Sequence, residues 1–279
     1  MKEVIPIQKI IAVANQKGGV CKTTTTMNLG IALAKKEKRI LLVDADPQGS
    51  LTISLGVRNP YDLQDTLTST MQTVMANKPP PLPHGILHHA EGVDLLPSNI
   101  ELSGMELRLF VTQNRERVLQ KCLDEIRHSY DYILIDCPPS LGIMTINALV
   151  AADSIIIPTE PKFLAVKGLD LLLRSVANVR RQINPSLQIE GILLTMVDNR
   201  TKNAKAITDT LNTTLGERIR IFDTQIPRSV RAAEAAQEGK SIFAHEKSSK
   251  VAKVYEALTE EVTPYAQRTR HRSRSDGVR

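Results

Sequence analysis

The chain has 279 residues, of which 42% are hydrophobic, so it is long enough to bury a full core as one large α/β domain. Its formal net charge is +6, but five arginines between residues 264 and 279 face a single acid there and supply most of that charge. Any contact with nucleic acid must therefore come from local patches or from this tail. Aromatic residues make up 3% of the chain and tryptophan is absent, which argues against binding of single strands by base stacking. Three widely spaced cysteines, and no uninterrupted apolar window of about 18 residues, favour a cytoplasmic protein without a membrane-spanning helix.

Six short apolar runs rich in β-branched residues predict buried strands. Stretches with helical spacing lie between most of them, and this alternation predicts a doubly wound, mostly parallel sheet with helices on both faces. Ligands of such sheets bind at the carboxyl ends of the strands. The predicted strands are 10–14, 40–43, 93–96, 132–135, 154–158 and 189–196, and the predicted helices are 23–36, 104–128, 143–151, 165–183 and 205–215.

Two segments depart from this alternation. Residues 56–92 contain a proline run between Lys78 and His84, followed by a histidine pair, a composition typical of a surface loop. Residues 266–279 are rich in arginine and lack periodicity, which predicts disorder. We therefore expect one domain over residues 1–265, followed by a basic tail.

A glycine-containing turn joins the first predicted strand to the first helix, with Lys17 and Lys22 on either side of it. Backbone N–H groups in such a turn, and at the N-terminus of the following helix, point at an anion. Lys22 and the hydroxyls after it then reach the outer phosphates, and Thr23 is the natural ligand for magnesium. The sequence therefore predicts a site for a nucleoside triphosphate and magnesium, with phosphate contacts from Gly18, Gly19, Val20, Cys21, Lys22, Thr23 and Thr24.

The same segment matches the pattern K-G-G-x-x-K-T and, with Ala14-Asn15-Gln16 before it, resembles the deviant Walker A motif of the ParA and MinD family of ATPases. The likeness is nearest to the ParA (Soj) branch. A ParA-like protein is expected to bind ATP and magnesium, to form a homodimer on ATP, and to hydrolyse ATP slowly under stimulation by a ParB-like partner. Other stretches that resemble ParA motifs are 41–49, 96–103, 132–140, 191–196 and 226–231.

The resemblance implies three catalytic residues. Lys22 is expected to serve the outer phosphates of its own nucleotide. Lys17, the additional lysine of the deviant motif, is expected to cross a dimer interface to the partner's nucleotide. Asp46, two residues after a strand-ending acid, is expected to orient and polarise the attacking water.

The resemblance also implies a metal set and base contacts. Asp44 and Asp136, each at the end of an apolar run, are expected to hold magnesium together with Thr23, with Asp136 in the Walker B position. Asp198 and Pro227 are expected to contact the nucleotide base.

ParA proteins carry a basic patch that binds nucleoid DNA without sequence preference, in the stretch that here follows Met196. The arginine tail could add to such binding, since affinity for DNA scales with the charges brought near its backbone. We therefore expect contact with double-stranded DNA in the cytoplasm, at the nucleoid, and no membrane partner. The candidate DNA-binding residues are Lys202, Lys205, Arg218, Arg228 and Arg231, with Arg220 in the same stretch.

Cys21 stands where the common phosphate loop has a glycine, a residue that allows unusual backbone angles. Either this loop tolerates a small side chain, or Cys21 weakens nucleotide binding. A further hypothesis is that Lys17, Lys22 and the helix N-terminus lower the pKa of the thiol and make Cys21 oxidisable when no nucleotide is bound. Two other functions stay open: a MinD-like ATPase at a membrane surface, and a nucleotide-gated DNA-binding regulator with little hydrolysis.

Overall fold

The computed structural model describes residues 8–79, 85–198, 202–216 and 218–275, with the backbone alone at 163–167, 202–205, 208, 212 and 264–275. Its strands are β1 (Lys9–Val13), β2 (Ile40–Asp44), β3 (Leu87–His89), β4 (Val93–Leu96), β5 (Tyr132–Asp136), β6 (Ser154–Thr159) and β7 (Gln188–Leu194). They form one sheet in the order β3-β4-β2-β5-β1-β6-β7. All neighbours pair in parallel except β3, which is antiparallel to β4.

The helices are α1 (Lys22–Ala34), α2 (Ser50–Ser54), α3 (Leu67–Met75), α4 (Glu101–Phe110), α5 (Val118–Asp124), α6 (Ile143–Ala151), α7 (Phe163–Gln182), α8 (Lys202–Leu215), α9 (Val230–Gln237), α10 (Ile242–His245) and α11 (Lys250–Ser275). One apolar cluster packs α3 to α8 on one face of the sheet, and a second packs α1, α2 and α9 to α11 on the other. Successive strand residues alternate between the two clusters, as Ile10 and Ile11 do, because side chains of a strand point to opposite faces. The predicted doubly wound sheet is therefore confirmed.

The predicted helix over 104–128 is wrong as a single element. Helix α4 ends at Phe110, Asn114 adopts a left-handed conformation with φ of 52°, and α5 starts only at Val118. Asparagine tolerates this conformation better than most residues, so it allows the chain to turn between two short helices.

The surface loop predicted for residues 56–92 is also corrected. Helix α3 lies within it and buries Leu67, Met71 and Val74. Thr66 and Ser69 form a reciprocal capping box at its start. Spacing of four and three residues between the apolar positions is helical, but the polar residues between them hid this signal. The middle of the proline run, residues 80–84, lies outside the described residues.

The tail predicted to be disordered continues α11 as far as Ser275, and residues 276–279 lie outside the described part of the chain. A segment without apolar periodicity is not expected to pack against the core, but it can still form a helix. Arginine and alanine are good helix formers, and a helix that is already nucleated is extended at little cost. Among the described helices, none combines the length and the apolar character needed to cross a membrane.

Candidate nucleotide-binding site

The loop between β1 and α1 is held against the ends of two neighbouring strands. The buried Asn15 amide donates to the carbonyl of Pro158 at 2.8 Å, and its Oδ1 accepts from the Lys17 N–H at 3.0 Å. The buried Thr195 hydroxyl, just beyond β7, donates to the carbonyl of Val20 at 3.1 Å. The loop backbone is therefore fixed by β1, β6 and β7 together.

Two loop residues have left-handed backbone angles. Gly19 has φ of 70°, and Cys21, the N-cap of α1, has φ of 62° and ψ of 32°. A side chain in this region costs about 1 kcal/mol, so the loop needs the glycine-like conformation that Cys21 supplies under strain. Burial raises the pKa of the Cys21 thiol, and the carboxylate of Glu160 raises it further. The hypothesis of an oxidisable thiol with a lowered pKa is therefore wrong, because burial outweighs the nearby lysines.

Lys22 lies inside the loop. Its residue is only 7% exposed, and its ammonium donates to the carbonyl of Lys17 at 3.2 Å. Burial lowers the pKa of Lys22, while the carboxylates of Asp136 and Asp46 oppose that shift. The loop thus wraps around an ammonium group at the N-terminus of α1, which is the arrangement of a phosphate site.

The first helical threonine and the acid that ends β5 lie together. Thr23 Oγ1 donates to Asp136 Oδ2 at 2.6 Å. The register of β2 and β5 places Asp44 directly opposite Asp136. Burial and the charge of Asp44 raise the pKa of Asp136 well above its usual range. Three oxygen-bearing side chains predicted to hold magnesium are therefore brought together.

Asp44 and Asp46 occupy different surroundings. Asp44 is fully buried, and Oδ2 accepts from both the N–H of Thr52 at 2.8 Å and its hydroxyl at 2.7 Å. Burial raises the pKa of Asp44 to about 6, against the opposing effect of the Thr52 hydrogen bonds. Asp46 is half-buried and accepts from the Gln48 N–H at 3.0 Å. A buried, fixed carboxylate and a more accessible one suit two separate roles.

The donor set fits magnesium. Carboxylate and hydroxyl oxygens are the ligands this ion prefers, and it retains water and phosphate oxygens in nucleotide sites. Within the described residues, no group of three or more histidine, cysteine or acidic side chains is arranged to hold a metal unaided. The protein oxygens therefore fit a magnesium ion that is also held by the phosphates.

Lys17 pairs with a carboxylate outside the phosphate loop. Its ammonium lies 3.4 Å from Glu160 Oε2, just beyond β6, and its side chain is 39% exposed. Lys162 pairs with the other oxygen of the same carboxylate at 2.6 Å. The two loop lysines are thus in different places, with Lys22 in the loop and Lys17 at the surface.

The two residues expected to contact the base are neighbours. Val197 forms a bridge to Pro227, and its N–H donates to the carbonyl of Ile226 at 3.0 Å. Asp198 follows directly, so it lies with Pro227 at the same edge of the sheet as Thr195 and the loop.

Among the candidate basic residues whose side chains are described, Arg218 lies apart from Arg228 and Arg231. Arg228 and Arg231 lie at the start of α9 near this edge, and Arg231 pairs with Glu246 at 3.0 Å. Arg218 is exposed and lies two residues before Arg220. The Arg220 carbonyl accepts from the N–H of Ile192 in the middle of β7, so this segment does not lie at the carboxyl end of the strand. The side chains of Lys202 and Lys205 lie outside the described residues.

Arg220 is a structural residue. Its guanidinium pairs with Glu261 at 2.9 Å and stacks on the Phe222 ring at 4.6 Å. It therefore fastens α11 to the segment after α8 and is poorly suited to a DNA contact.

Sequence reasoning missed four positioning residues: Asn15, Thr52, Glu160 and Thr195. Glu160 follows a predicted strand and Thr195 lies at the carboxyl end of another, the position where ligand contacts are expected. That signal could have found them. Thr52 offered none, because its contact with Asp44 depends on how α2 folds back.

The comparisons with known proteins agree with this geometry. Residues 8–189 match a family model described as AAA domain. The sporulation initiation inhibitor protein Soj of Bacillus subtilis is 42% identical over 260 residues, which cover 91% of this chain and 98% of the relative. The chromosome partitioning protein ParA of Caulobacter vibrioides is 38% identical over 256 residues, covering 91% and 93%. The chain belongs to the ParA/Soj family of partitioning ATPases.

A solved structure supports the ParA/Soj assignment at the level of the fold. Cobyrinic acid a,c-diamide synthase from Mycobacterium smegmatis, with a bound ATP analogue and magnesium, superposes with a TM-score of 0.78 at 34% identity, covering 90% of this chain and 92% of that one. That structure holds an ATP analogue and magnesium, the same ligands that the phosphate loop and the oxygen-bearing side chains of this chain fit.

Proposed function

We propose that this ParA/Soj family member is a DNA-partitioning ATPase that binds ATP with magnesium and dimerises on ATP. It binds double-stranded DNA without sequence preference and hydrolyses ATP slowly until a ParB-like partner stimulates it. The observation that carries this function is the separation of the two loop lysines. Lys22 is buried in the loop, whereas Lys17 is at the surface on Glu160.

The phosphates bind to the loop N–H groups, the N-terminus of α1 and the Lys22 ammonium. Thr23, Asp44 and Asp136 would hold magnesium, which when bound would neutralise part of the negative charge of the phosphate oxygens. Thr52 keeps the Asp44 carboxylate in one orientation through its two hydrogen bonds. Asn15 and Thr195 hold the loop in shape, so little reorganisation is needed when the nucleotide enters.

Asp46 orients the water that attacks the terminal phosphate. It is more accessible than Asp44 and lies close enough to Lys22 to affect the pKa of that ammonium. Phosphoryl transfer needs mainly positioning and charge stabilisation, and a positive group supplied in trans raises the rate by about 10³- to 10⁵-fold in other nucleotide hydrolases. We assign such stimulation to the ParB-like partner.

Lys17 couples ATP binding to dimerisation. In the free chain its charge is balanced by Glu160, so it must leave this carboxylate to reach the nucleotide of a second subunit. The phosphates of that nucleotide offer more negative charge than one carboxylate shared with Lys162. ATP binding and dimer formation then become one linked equilibrium.

Sedimentation tests this coupling. Wild-type protein is expected to form dimers with ATP and to stay monomeric with ADP or without nucleotide, whereas Lys17→Ala stays monomeric throughout. Lys162→Ala is the matched control, because it removes the other partner of Glu160 but leaves Lys17 in place. ATP-dependent dimers of Lys17→Ala, or loss of dimers in Lys162→Ala alone, would contradict the proposed role.

A second candidate function rests on Cys21. Its strained conformation at the loop favours a nucleotide-gated DNA-binding regulator with little hydrolysis. ATP turnover in the presence of DNA and the partner separates the two functions, with Asp46→Ala as the baseline. Turnover no higher than this baseline would favour the regulator. A MinD-like membrane role is not favoured, because the apolar residues Tyr255, Leu258 and Val262 of α11 are buried in the core.

A further inference from the structure

Helix α4 is apolar on two opposite sides. Leu102, Met105 and Leu109 are buried in the core, while other large apolar residues of the same helix and its ends point outward. At 100° per residue, the outward set lies opposite the buried one. We name this outward set the α4 face; its residues are Ile100 (46% exposed), Leu107 (72%), Phe110 (62%) and Val111 (88%).

A helix side that carries several large apolar residues is normally covered. Here the described chain leaves the outer side open, and a Cβ built on Gly104 would meet no atom within 4 Å. Four such side chains expose on the order of 400 Å² of apolar surface, which is within the size range of patches that mark interaction sites. The α4 face is therefore a candidate interface.

Helix α4 lies beside the nucleotide site. Ser98, just before α4, donates from its hydroxyl to the carbonyl of Asp46 at 3.1 Å. Glu106 lies against Gly142, where a Cβ would come within 3.5 Å of Oε1, and Gly142 is the N-cap of α6 after the Asp136 loop. Helix α4 thus contacts both segments that follow the catalytic carboxylates.

We propose that the α4 face packs against a second copy of this chain in the ATP-bound dimer, an inference that rests on the proposed function. Ile100, the first residue of the face, comes two positions after Ser98, so the face begins at the edge of the sheet that also carries the loop with Lys17. A two-fold interface uses the same patch twice, so α4 alone would bury on the order of 800 Å², about half of a standard interface. The loops around the phosphate site supply the remaining buried area. A second subunit packed on α4 would then lie close to the segments that contain Asp46 and Asp136.

Analytical ultracentrifugation with a non-hydrolysable ATP analogue tests the proposal. Leu107→Gln is expected to raise the dimer dissociation constant at least about 10-fold, because each dimer loses two buried leucines. Leu171→Gln on α7 is the matched control, an exposed leucine (53%) outside the α4 face, and is expected to change it less than 3-fold. Binding of the analogue by monomers, followed with a fluorescent derivative, is expected to be the same in all three proteins.

The outcomes separate the inference from the function on which it rests. Wild-type protein that binds the analogue but stays monomeric would refute the proposed dimerisation itself. Wild-type dimers with an unchanged dissociation constant in Leu107→Gln would refute the α4 interface alone, whether or not stimulation by another protein is lost. A second variant, Val111→Gln, repeats the test at the most exposed position of the face.

Discussion

Replacing Cys21 by glycine and by alanine measures the strain in the phosphate loop. Cys21 has φ of 62° and ψ of 32°, a conformation that costs a residue with a Cβ about 1–2 kcal/mol. Glycine removes this cost but loses about 0.5–1 kcal/mol through the greater freedom of the unfolded chain. Alanine keeps the cost and also lacks the thiol. We therefore expect Cys21→Gly to be more stable than Cys21→Ala by about 1 kcal/mol.

Urea denaturation without nucleotide measures this difference. Glu37 provides the calibration, since it has φ of 60° at the exposed end of α1, and Glu37→Gly and Glu37→Ala should differ by the same amount. If the variants at 37 differ and those at 21 do not, the loop relaxes and the strain at Cys21 is absent.

The same variants test whether Cys21 obstructs the nucleotide. If the loop keeps its backbone when phosphates bind, the strain is present in both states and cancels from the affinity. We therefore expect ATP to bind Cys21→Gly and the wild type within about 3-fold of each other, by titration with a fluorescent analogue. A gain of 10-fold or more would show that the Cβ obstructs the phosphate, and would favour the regulator with little hydrolysis.

Three further predictions follow from single contacts. Thr195→Val leaves the Val20 carbonyl without its donor. It should lower the free energy of unfolding in urea by about 1–2 kcal/mol and weaken ATP binding. Thr263→Val, whose hydroxyl donates to a carbonyl of its own helix, is the control and should cost less than about 0.5 kcal/mol. Asp136→Asn should raise the melting temperature of the nucleotide-free protein, because burial and Asp44 disfavour the charge of the Asp136 carboxylate. The same variant should lose the further stabilisation by magnesium and ATP. A lower melting temperature than that of the wild type without ligand would contradict this prediction. Arg220→Met should lower the free energy of unfolding by about 1–2 kcal/mol and leave the affinity for DNA unchanged. Arg228→Gln should weaken DNA binding and reduce its salt dependence, with little effect on stability. If a folded Arg220→Met protein loses DNA binding, Arg220 is a DNA contact after all.

The sequence predicted the six parallel strands because each is an apolar run buried on both faces of the sheet. Ile40 to Val43 and Ile133 to Ile135, for example, are at most 2% exposed. It missed α2, α3 and the helices after residue 229. In α9 the buried residues are only Ala232 and Ala235, whose small side chains give a weak periodic signal.

The site was predictable where its residues are local in sequence. Gly18 to Thr24 belong to one turn, and the acids follow strands whose carboxyl ends meet at one edge. The pairing of Lys17 with Glu160 was not predictable, since it joins residues 143 positions apart through the order of β1 and β6. The pKa of Cys21 was predicted in the wrong direction because burial cannot be read from neighbouring charges.

The arrangement of charge in the nucleotide site explains why binding and stability should be linked. Asp44 and Asp136 are buried side by side, and burial raises the pKa of both. The buried Lys22 ammonium offsets part of this repulsion, but its own pKa is lowered by the same burial. Magnesium would neutralise the carboxylates and the phosphates would neutralise Lys22, so the pair of ligands relieves both penalties together. Because such ligands bind only the folded chain, they should together stabilise it beyond what either ligand achieves alone. The electrostatic cost of burying these charges then becomes part of the coupling between ATP binding and folding.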